Sequence, residues 1–531
     1  MKKCGLAVAA LAVLVSAAEW LAGMSLCGGE FCYPLDDTYI HLAMARQLAE
    51  SGTWGLEAGV PVFASSSPLW TVLLAVAVKV CGVREWLPLA FSFLFAFLSV
   101  LVAFRFWERT SVPRWFALVS GIFLVAATPF VTLSNVGMEH AMHVFLVEMV
   151  LYMGWKQLAA ERTSRADVAW LLALCALATA ARYESLFVVA PIALLLVLRR
   201  KPVAGASMLV AAFMPVVGFG LYAVACGRPF FPVSLLLKAQ VGPEAVIRGI
   251  CGLYCGIAPD VIHVYLAVGL LLVVAAMPKT DRTLSALSLA LAVSIVGHGV
   301  FAHFGWLYRY EAYLVGACFM LLPAAVAKFV SERFVPGEAE SPNGDAVGVL
   351  VRKIAVLLLC IGVAFPFVAR SFKANYDTVL AQREIFGQQM QMARIIASLP
   401  AEQKGPVAVS DLGCMAMFSG VHVLDIWGLG SPDVAEIVRS RKVPKDGFAG
   451  LFARHRVRYV AIYDGWYDLK RLSPDIRVVA KLSMSGPRVI CAGDTVLLGV
   501  TNAADVAPFA ACLRDYAPRL PPGVTLSLMH P

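Results

Sequence analysis

The sequence predicts an α-helical polytopic membrane protein that carries a small C-terminal extracytoplasmic α/β domain. Three observations lead there. Of 531 residues, 60% are hydrophobic and 15% charged, against about half and about a quarter in soluble domains. Apolar runs approaching the ~20 residues that cross a bilayer recur as far as Ala369. Beyond that point the character changes, and residues 370–531 hold 19 Lys/Arg and 14 Asp/Glu among strand-like and turn-like segments.

Taken in order, the runs are Leu6–Met24, Trp86–Trp107, Trp115–Leu133, Ala141–Trp155, Val168–Ala181, Leu186–Leu198, Ala204–Ala225, Val261–Met277, Leu284–Phe304, Ala312–Val330 and Ile354–Ala369, about eleven transmembrane helices. Met1-Lys-Lys followed by Leu6–Ala18 has the look of a secretory signal, but the many later spans favour an uncleaved first helix. Leu69–Val80, after Ser65-Ser-Ser-Pro68, is too short to cross and reads as an interfacial helix. With the N-terminus inside, the inner loops collect seventeen Lys/Arg, among them Lys2, Lys3, Arg105, Arg109 and Arg199–Lys201, against eight in the outer loops. The bias orients the chain N-terminus cytoplasmic and tail extracytoplasmic. The division is therefore a transmembrane module over 1–369, with a first outer loop over 25–85, and a tail domain over 370–531. In the tail, Pro406–Ser410, Val421–Asp425, Val457–Ile462 and Val496–Val500 read as strands and Glu384–Leu399 as an amphipathic helix.

A formal charge of +9 raises nucleic acid as a partner, but the Lys and Arg are scattered between apolar runs and form no basic stripe. The thirteen cysteines show no metal spacing. Cys27 and Cys32 share one expected outer loop and Cys226, Cys251 and Cys255 another, where disulfides can form.

Sorted by side, the outer loops carry Asp36 and Asp37, then Glu139, then Arg182 and Glu184, then Lys238, then Arg309 and Glu311. A single charge at a helix end is ordinary, because long side chains reach the surface. Both signs converging on one membrane face suit a site that binds an anionic lipid head group and handles a proton. A carboxylate can take the proton of an attacking hydroxyl, and Lys or Arg can stabilise a departing phosphate. Asp36 is the first choice as base with Asp37 as its orienting neighbour, and the reverse assignment is nearly as good. A divalent cation held by Asp36, Asp37 and a donor phosphate is compatible with the pair.

The segment Leu35-Asp-Asp-Thr-Tyr-Ile40 through Ala45-Arg46, Gly52, Ser67-Pro-Leu-Trp70 and Leu73-Leu74 resembles the first outer loop of GT-C-type membrane glycosyltransferases. The branch most similar to it contains bacterial terminal arabinofuranosyltransferase-like proteins; lipid A aminoarabinose transferases and protein O-mannosyltransferases are more distant. Gly137-Met-Glu139, Ala181-Arg-Tyr-Glu184, Phe231-Pro232 through Lys238, Arg309-Tyr310, Asp411-Leu-Gly413 and Leu424-Asp-Ile-Trp-Gly-Leu429 continue the likeness. The resemblance implies a GT-C-like fold and an inverting transfer of a sugar from a polyprenyl-phosphate donor, with a first-loop Asp as general base. The acceptor would be a glycan, glycolipid or protein at the outer side of a bacterial inner membrane. Asp36 and Asp37 inherit the catalytic role, and Glu139, Arg182, Glu184, Lys238 and Arg309 become donor- or acceptor-binding candidates. Relatives often have Arg-Pro-Glu where this chain has Arg182-Tyr-Glu184, and Pro-Asn-Thr where it has Pro232-Val-Ser234. These departures bear on the sugar and the acceptor.

His140, His143, His298 and His303 invite a metal reading, but no carboxylate or Cys completes a ligand set, and a polar helix lining is the better expectation. Glu148 lies inside a span, where charge is costly; it either lines a cavity or, in a shifted span, nears the inner surface, and the shortness of the run favours the second. Trp54 and Trp427 are outer-side aromatics that can anchor at the interface or stack on sugar rings. Gly428-Leu-Gly430 lacks the full dinucleotide fingerprint, so no nucleotide cofactor is expected. A transporter or flippase of lipid-linked sugars is the alternative function, and it would place ionisable groups near the bilayer midplane with repeat symmetry, which this sequence does not show.

Overall fold

The computed structural model describes residues 1–161, 164–238, 259–277, 281–334, 346–440 and 448–529. Every apolar run named above falls on a helix. In chain order these are α1 (Lys2–Leu26), α2 (Asp36–Ser51), α3 (Pro68–Cys81), α4 (Leu87–Arg109), α5 (Arg114–Ala127), α6 (Phe130–Asn135), α7 (His140–Ala159), α8 (Arg165–Ala181), α9 (Leu186–Leu198), α10 (Pro202–Ala225), α11 (Val233–Lys238), α12 (Pro259–Ala276), α13 (Arg282–Phe301), α14 (Ala312–Phe334) and α15 (Ala346–Ile385). Among the described residues, α1, α4, α10 and α13 are long and apolar enough to cross a membrane, while α3 and α5 belong to a shorter apolar class.

Local chemistry explains the boundaries. Ser67 caps α3 by accepting from the Trp70 N–H at 3.3 Å, and Pro68 occupies the first turn, where no N–H is needed. The single run Trp115–Leu133 divides at Thr128-Pro129 into α5 and α6, because proline cannot donate the helical hydrogen bond. The short α6 is buried throughout and leads to Gly137, whose φ is +63° and where a Cβ would lie 2.3 Å from the Tyr33 ring. Only glycine fits there. Glu148 sits midway along α7, fully buried, and accepts the Ser99 hydroxyl of α4. The expected shift toward the inner surface is thus corrected: the carboxyl faces the bundle interior, where the hydroxyl meets Oε2 and, among the described residues, Oε1 has no hydrogen-bond partner.

The stretch between α1 and α4 is not an open loop. It folds into α2 and α3, packed on each other, with Thr38–Ala45 of α2 continuously buried. Helix α15 runs through residues 369 and 370 without a break, and a π-helical turn over Phe386–Met390 follows, buried throughout. Next comes α16 (Gln391–Ala397), then a six-stranded sheet in the order β2-β1-β3-β5-β4-β6. Its strands are β1 (Val407–Val409), β2 (Val423–Asp425), β3 (Tyr459–Tyr463), β4 (Arg477–Met484), β5 (Thr495–Val500) and β6 (Val524–Leu528). β1 pairs parallel with both β2 and β3, and the remaining pairs are antiparallel. Side chains alternate between faces. Ala408, Leu424, Val460 and Ile462 pack with Leu451 and Phe452, whereas Val407, Val409, Tyr459 and Ala461 join the larger core with Ile395 and Phe509.

The tail domain is gripped by α2. Helix α17 (Gly413–Phe418) presents the Gly413 and Cys414 N–H groups to the Asp36 carboxylate, the second at 2.8 Å. At its other end, Arg46 donates to the Ala416 and Met417 carbonyls at 3.2 and 3.1 Å. Opposite charges thus meet the two ends of one helix as its dipole requires. A Cβ on residue 413 would lie 1.9 Å from the Asp36 carbonyl oxygen. Gly413→Ala is therefore expected to lower the Tm of the purified protein by several degrees, the signature of a loss of roughly 1–3 kcal/mol, and to speed limited proteolysis between Leu399 and Gly405. An unchanged Tm and cleavage pattern would refute this grip.

Candidate active site

The adjacent aspartates point in different directions. Asp36 is spent on the tail domain, as described. Asp37 turns inward and pairs with Arg309, Oδ2 to Nη2 at 2.9 Å. Arg309 is almost fully buried, and its Nη2 also donates to the Tyr310 hydroxyl at 3.3 Å. The loop that delivers it contains three consecutive non-glycine residues with positive φ, Trp306, Leu307 and Tyr308 at 52°, 63° and 54°. Left-handed backbone at such residues costs about 1–2 kcal/mol each, and surrounding packing must hold it.

A second buried cation stands across the Tyr310 ring. The Arg182 and Arg309 guanidiniums lie 5.6 and 5.1 Å from its centroid, a cation–π arrangement that keeps two like charges on one aromatic. Arg182 follows the last residue of α8 and forms two carboxylate bonds of 2.6 Å, to Glu139 and to Glu184. Burial alone would raise the Glu184 carboxyl, but Arg182 overrides it and brings it down to about 2. Glu139 is also held below the ordinary range against its burial, chiefly by Arg182 and then by His41. Ser66 donates to Glu139 at 3.2 Å, and His41 stands 3.7 Å from its other oxygen.

These groups surround a cavity of about 210 Å³ lined by Asp37, Ser66, His140, Arg182, Glu184 and Tyr310, with Arg309, Pro232 and Ser234 also on its wall. Of the residues expected from the sequence, Asp37, Arg182, Glu184 and Arg309 line it, and Glu139 supports Arg182 from behind. Lys238 ends α11, and its side chain lies outside the described residues. Asp36 does not line the cavity. The two aspartates spend carboxylate oxygens on different partners, and among the described residues no group of three or more His, Cys, Asp or Glu is arranged as a metal site.

His140, expected in a polar helix lining, faces the cavity; it is 1% exposed, and among the described residues neither ring nitrogen has a hydrogen-bond partner. His143 and His298 bond to Ser185 and to Tyr313, while His303 shares the cavity wall with His140. Tyr310, Ser66 and His41 carried no spacing signal. Cys27 and Cys32 are buried free thiols, Cys226 is a free thiol too, and Cys251 and Cys255 lie outside the described residues. Trp54 is buried against Phe63 and Phe219, which removes it as a sugar platform, whereas Trp427 is exposed.

The helix bundle, the α2–α3 pair and the tail domain together are similar in fold to solved GT-C-type membrane glycosyltransferases. Among solved structures, ArnT from Cupriavidus metallidurans bound to undecaprenyl phosphate aligns at a TM-score of 0.52 and 14% identity, covering 93% of this chain and 98% of that one. The apo oligosaccharyltransferase from Archaeoglobus fulgidus aligns at 0.50 and 12% identity over 90% of this chain and 73% of that one. Arabinofuranosyltransferase AftD from Mycobacteria aligns at 0.47 and 13% identity over 93% and 40%, a likeness that decides nothing about the branch. Residues 383–499 match a family model described as a domain of unknown function, DUF8728. No curated protein matches the sequence.

Burial raises the Asp36 carboxyl from 3.8 to about 7; neighbouring Asp411 adds to the rise, and the Cys414 and Gly413 N–H bonds oppose it. The folded state thus binds this proton more tightly than the unfolded chain. The resulting stabilisation is fully present below the unfolded value and declines as pH rises from 3.8 to about 7. Wild-type protein is expected to melt at a lower temperature at pH 8 than at pH 5.5, and Asp36→Asn is expected to flatten that difference. Equal slopes in the two proteins would contradict the assignment.

Proposed function

We propose that this protein is a membrane glycosyltransferase that moves a sugar from a polyprenyl-phosphate donor to an envelope acceptor on the extracytoplasmic side of a bacterial inner membrane. The reading has the N-terminus in the cytoplasm and the tail domain outside. One observation carries it: within a GT-C-type fold, a carboxylate on the cavity wall, Asp37, stands beside two buried guanidiniums, Arg182 and Arg309.

The chemistry follows from those groups. The acceptor hydroxyl oxygen attacks the anomeric carbon from the face opposite the phosphate. The bond from that carbon to the phosphate oxygen breaks, its electron pair leaves with the phosphate, and the configuration inverts. Asp37 takes the hydroxyl proton. Arg309 fixes the Asp37 carboxylate through Oδ2, and Arg182, pinned by Glu139 and Glu184, offers fixed positive charge to the departing phosphate. Preorganised guanidiniums need little rearrangement as that charge develops. Lys238 is a further candidate for the donor phosphate. With Asp36 committed to the tail domain, Asp37 is the member of the pair placed to meet a divalent cation on the donor, and the steps here use this chain's own groups.

The charged residues also speak against a flippase. Glu139 precedes α7, Arg182 follows α8 and Arg309 precedes α14, so the cluster gathers at one end of the bundle. A translocation site belongs near the midplane.

The test is transfer by purified protein from a panel of polyprenyl-phosphate sugars. Asp37→Asn is expected to lower kcat by about 10²- to 10⁴-fold, the usual worth of a general base, with donor KM nearly unchanged. Arg182→Ala is expected to raise donor KM. Full activity in Asp37→Asn, or ATP-independent lipid flipping without a glycosidic product, would defeat the proposal.

A further inference from the structure

Three loops of the tail domain leave the same edge of its sheet. β1, β2 and β3 are mutually parallel through β1, so their carboxyl ends lie side by side. Asp411 follows β1, Trp427 follows β2, and Trp466 follows β3. In open α/β sheets, the crevice outside the carboxyl ends of parallel strands is where ligands bind.

The residues there are unusual for a soluble surface. Trp427 and Trp466 are 50% and 44% exposed, with ring centroids 6.0 Å apart. Both are presented by glycine turns, Gly428 at φ +94° and Gly465 at φ +78°. Trp466 also packs on Tyr463 at 5.0 Å. Asp425 fixes the Trp427 loop by accepting from the Trp427 and Gly430 N–H groups at 2.8 Å each. Asp411 accepts from Gln389, which the π-helical turn places there, at 2.7 Å, and from the Tyr463 hydroxyl. Both bonds fall on Oδ2; among the described residues none is made to Oδ1.

This edge is also the one bound to the catalytic segment. Gly413, two residues beyond Asp411, holds Asp36, the neighbour of Asp37. A ligand on the edge therefore lies beside the proposed base and outside the donor cavity.

We propose that this edge is an acceptor subsite for a carbohydrate chain, with Trp427 and Trp466 as stacking platforms and Asp411 as acceptor for a sugar hydroxyl. Tilted, exposed indoles match the apolar C–H faces of sugar rings, and a carboxylate on the loop after the strand between theirs matches hydroxyl edges. The inference rests on the transferase reading and narrows its acceptor to a glycan.

The full chain in lipid nanodiscs would be titrated calorimetrically with soluble hexasaccharides of glucose, of mannose and of arabinose, and with an unglycosylated peptide. At least one hexasaccharide is expected to bind. Trp427→Ala and Trp466→Ala should each weaken it by at least about tenfold, with partial recovery in Trp427→Phe and Trp466→Phe. In transfer assays the same alanine variants should raise acceptor KM more than they lower kcat. Equal binding by wild type and variants, or binding of the peptide alone, would overturn the subsite. Because the titration needs no turnover, a wild type that binds the sugar without transferring any would sink the transferase reading while leaving the platform standing.

Discussion

The bond between the Asp36 carboxylate and the first two N–H groups of α17 is the constraint around which the outer half of this molecule is arranged. It joins the second helix of the chain to residues that lie 377 and 378 positions later. Its neighbours show how tightly the joint is specified. Gly413 admits no side chain, Arg46 holds the far end of α17, and the Tyr39 and Phe418 rings meet edge to face at 5.3 Å. Because Asp36 and Asp37 open α2 together, the placement of the tail domain and that of the cavity carboxylate are one geometric fact.

That joint also explains why two adjacent acids coexist. Side chains of neighbouring residues at a helix start diverge, so one carboxylate can be structural while the other faces the cavity. A single aspartate would have to choose. Around Asp37 the charges form a paired network, with Asp37 on Arg309, Glu139 and Glu184 on Arg182, and the Tyr310 ring between the two guanidiniums. Each buried charge has an opposite partner, which low-dielectric surroundings demand. His140 departs from that economy, and a bound ligand is the natural partner for its ring nitrogens.

Much of this was legible in the sequence. Among the described residues, apolar runs located the long helices, because burial in lipid or protein requires long uninterrupted apolar stretches, but not the break at Pro129 or the polar α2. Four strands with β-branched runs were visible, but β4 and β6 were not. Arg477–Met484 mixes exposed Arg477 and half-buried Lys481 with a bulge between Val478 and Ala480, and Val524–Leu528 is an edge strand of alternating half-exposed residues. Arg182, Glu184 and Arg309 were readable as charges at helix ends. The different partners of Asp36 and Asp37 were not, because they depend on Gly413, a contact far away in sequence. Tyr310, Ser66 and His41 matter through their neighbours, and nothing in residue type or spacing announces that.

The hydrogen bond inside the bundle bears on what it costs to bury Glu148. An isolated carboxyl at the middle of a membrane helix raises the cost of insertion by about 2.5–3.5 kcal/mol. Ser99 precedes Glu148 in the chain, so α4 carries the hydroxyl before α7 brings the acid. A chain that lost Ser99 would hold both Glu148 oxygens buried with no hydrogen-bond partner among the described residues, the arrangement that makes a buried acid costly.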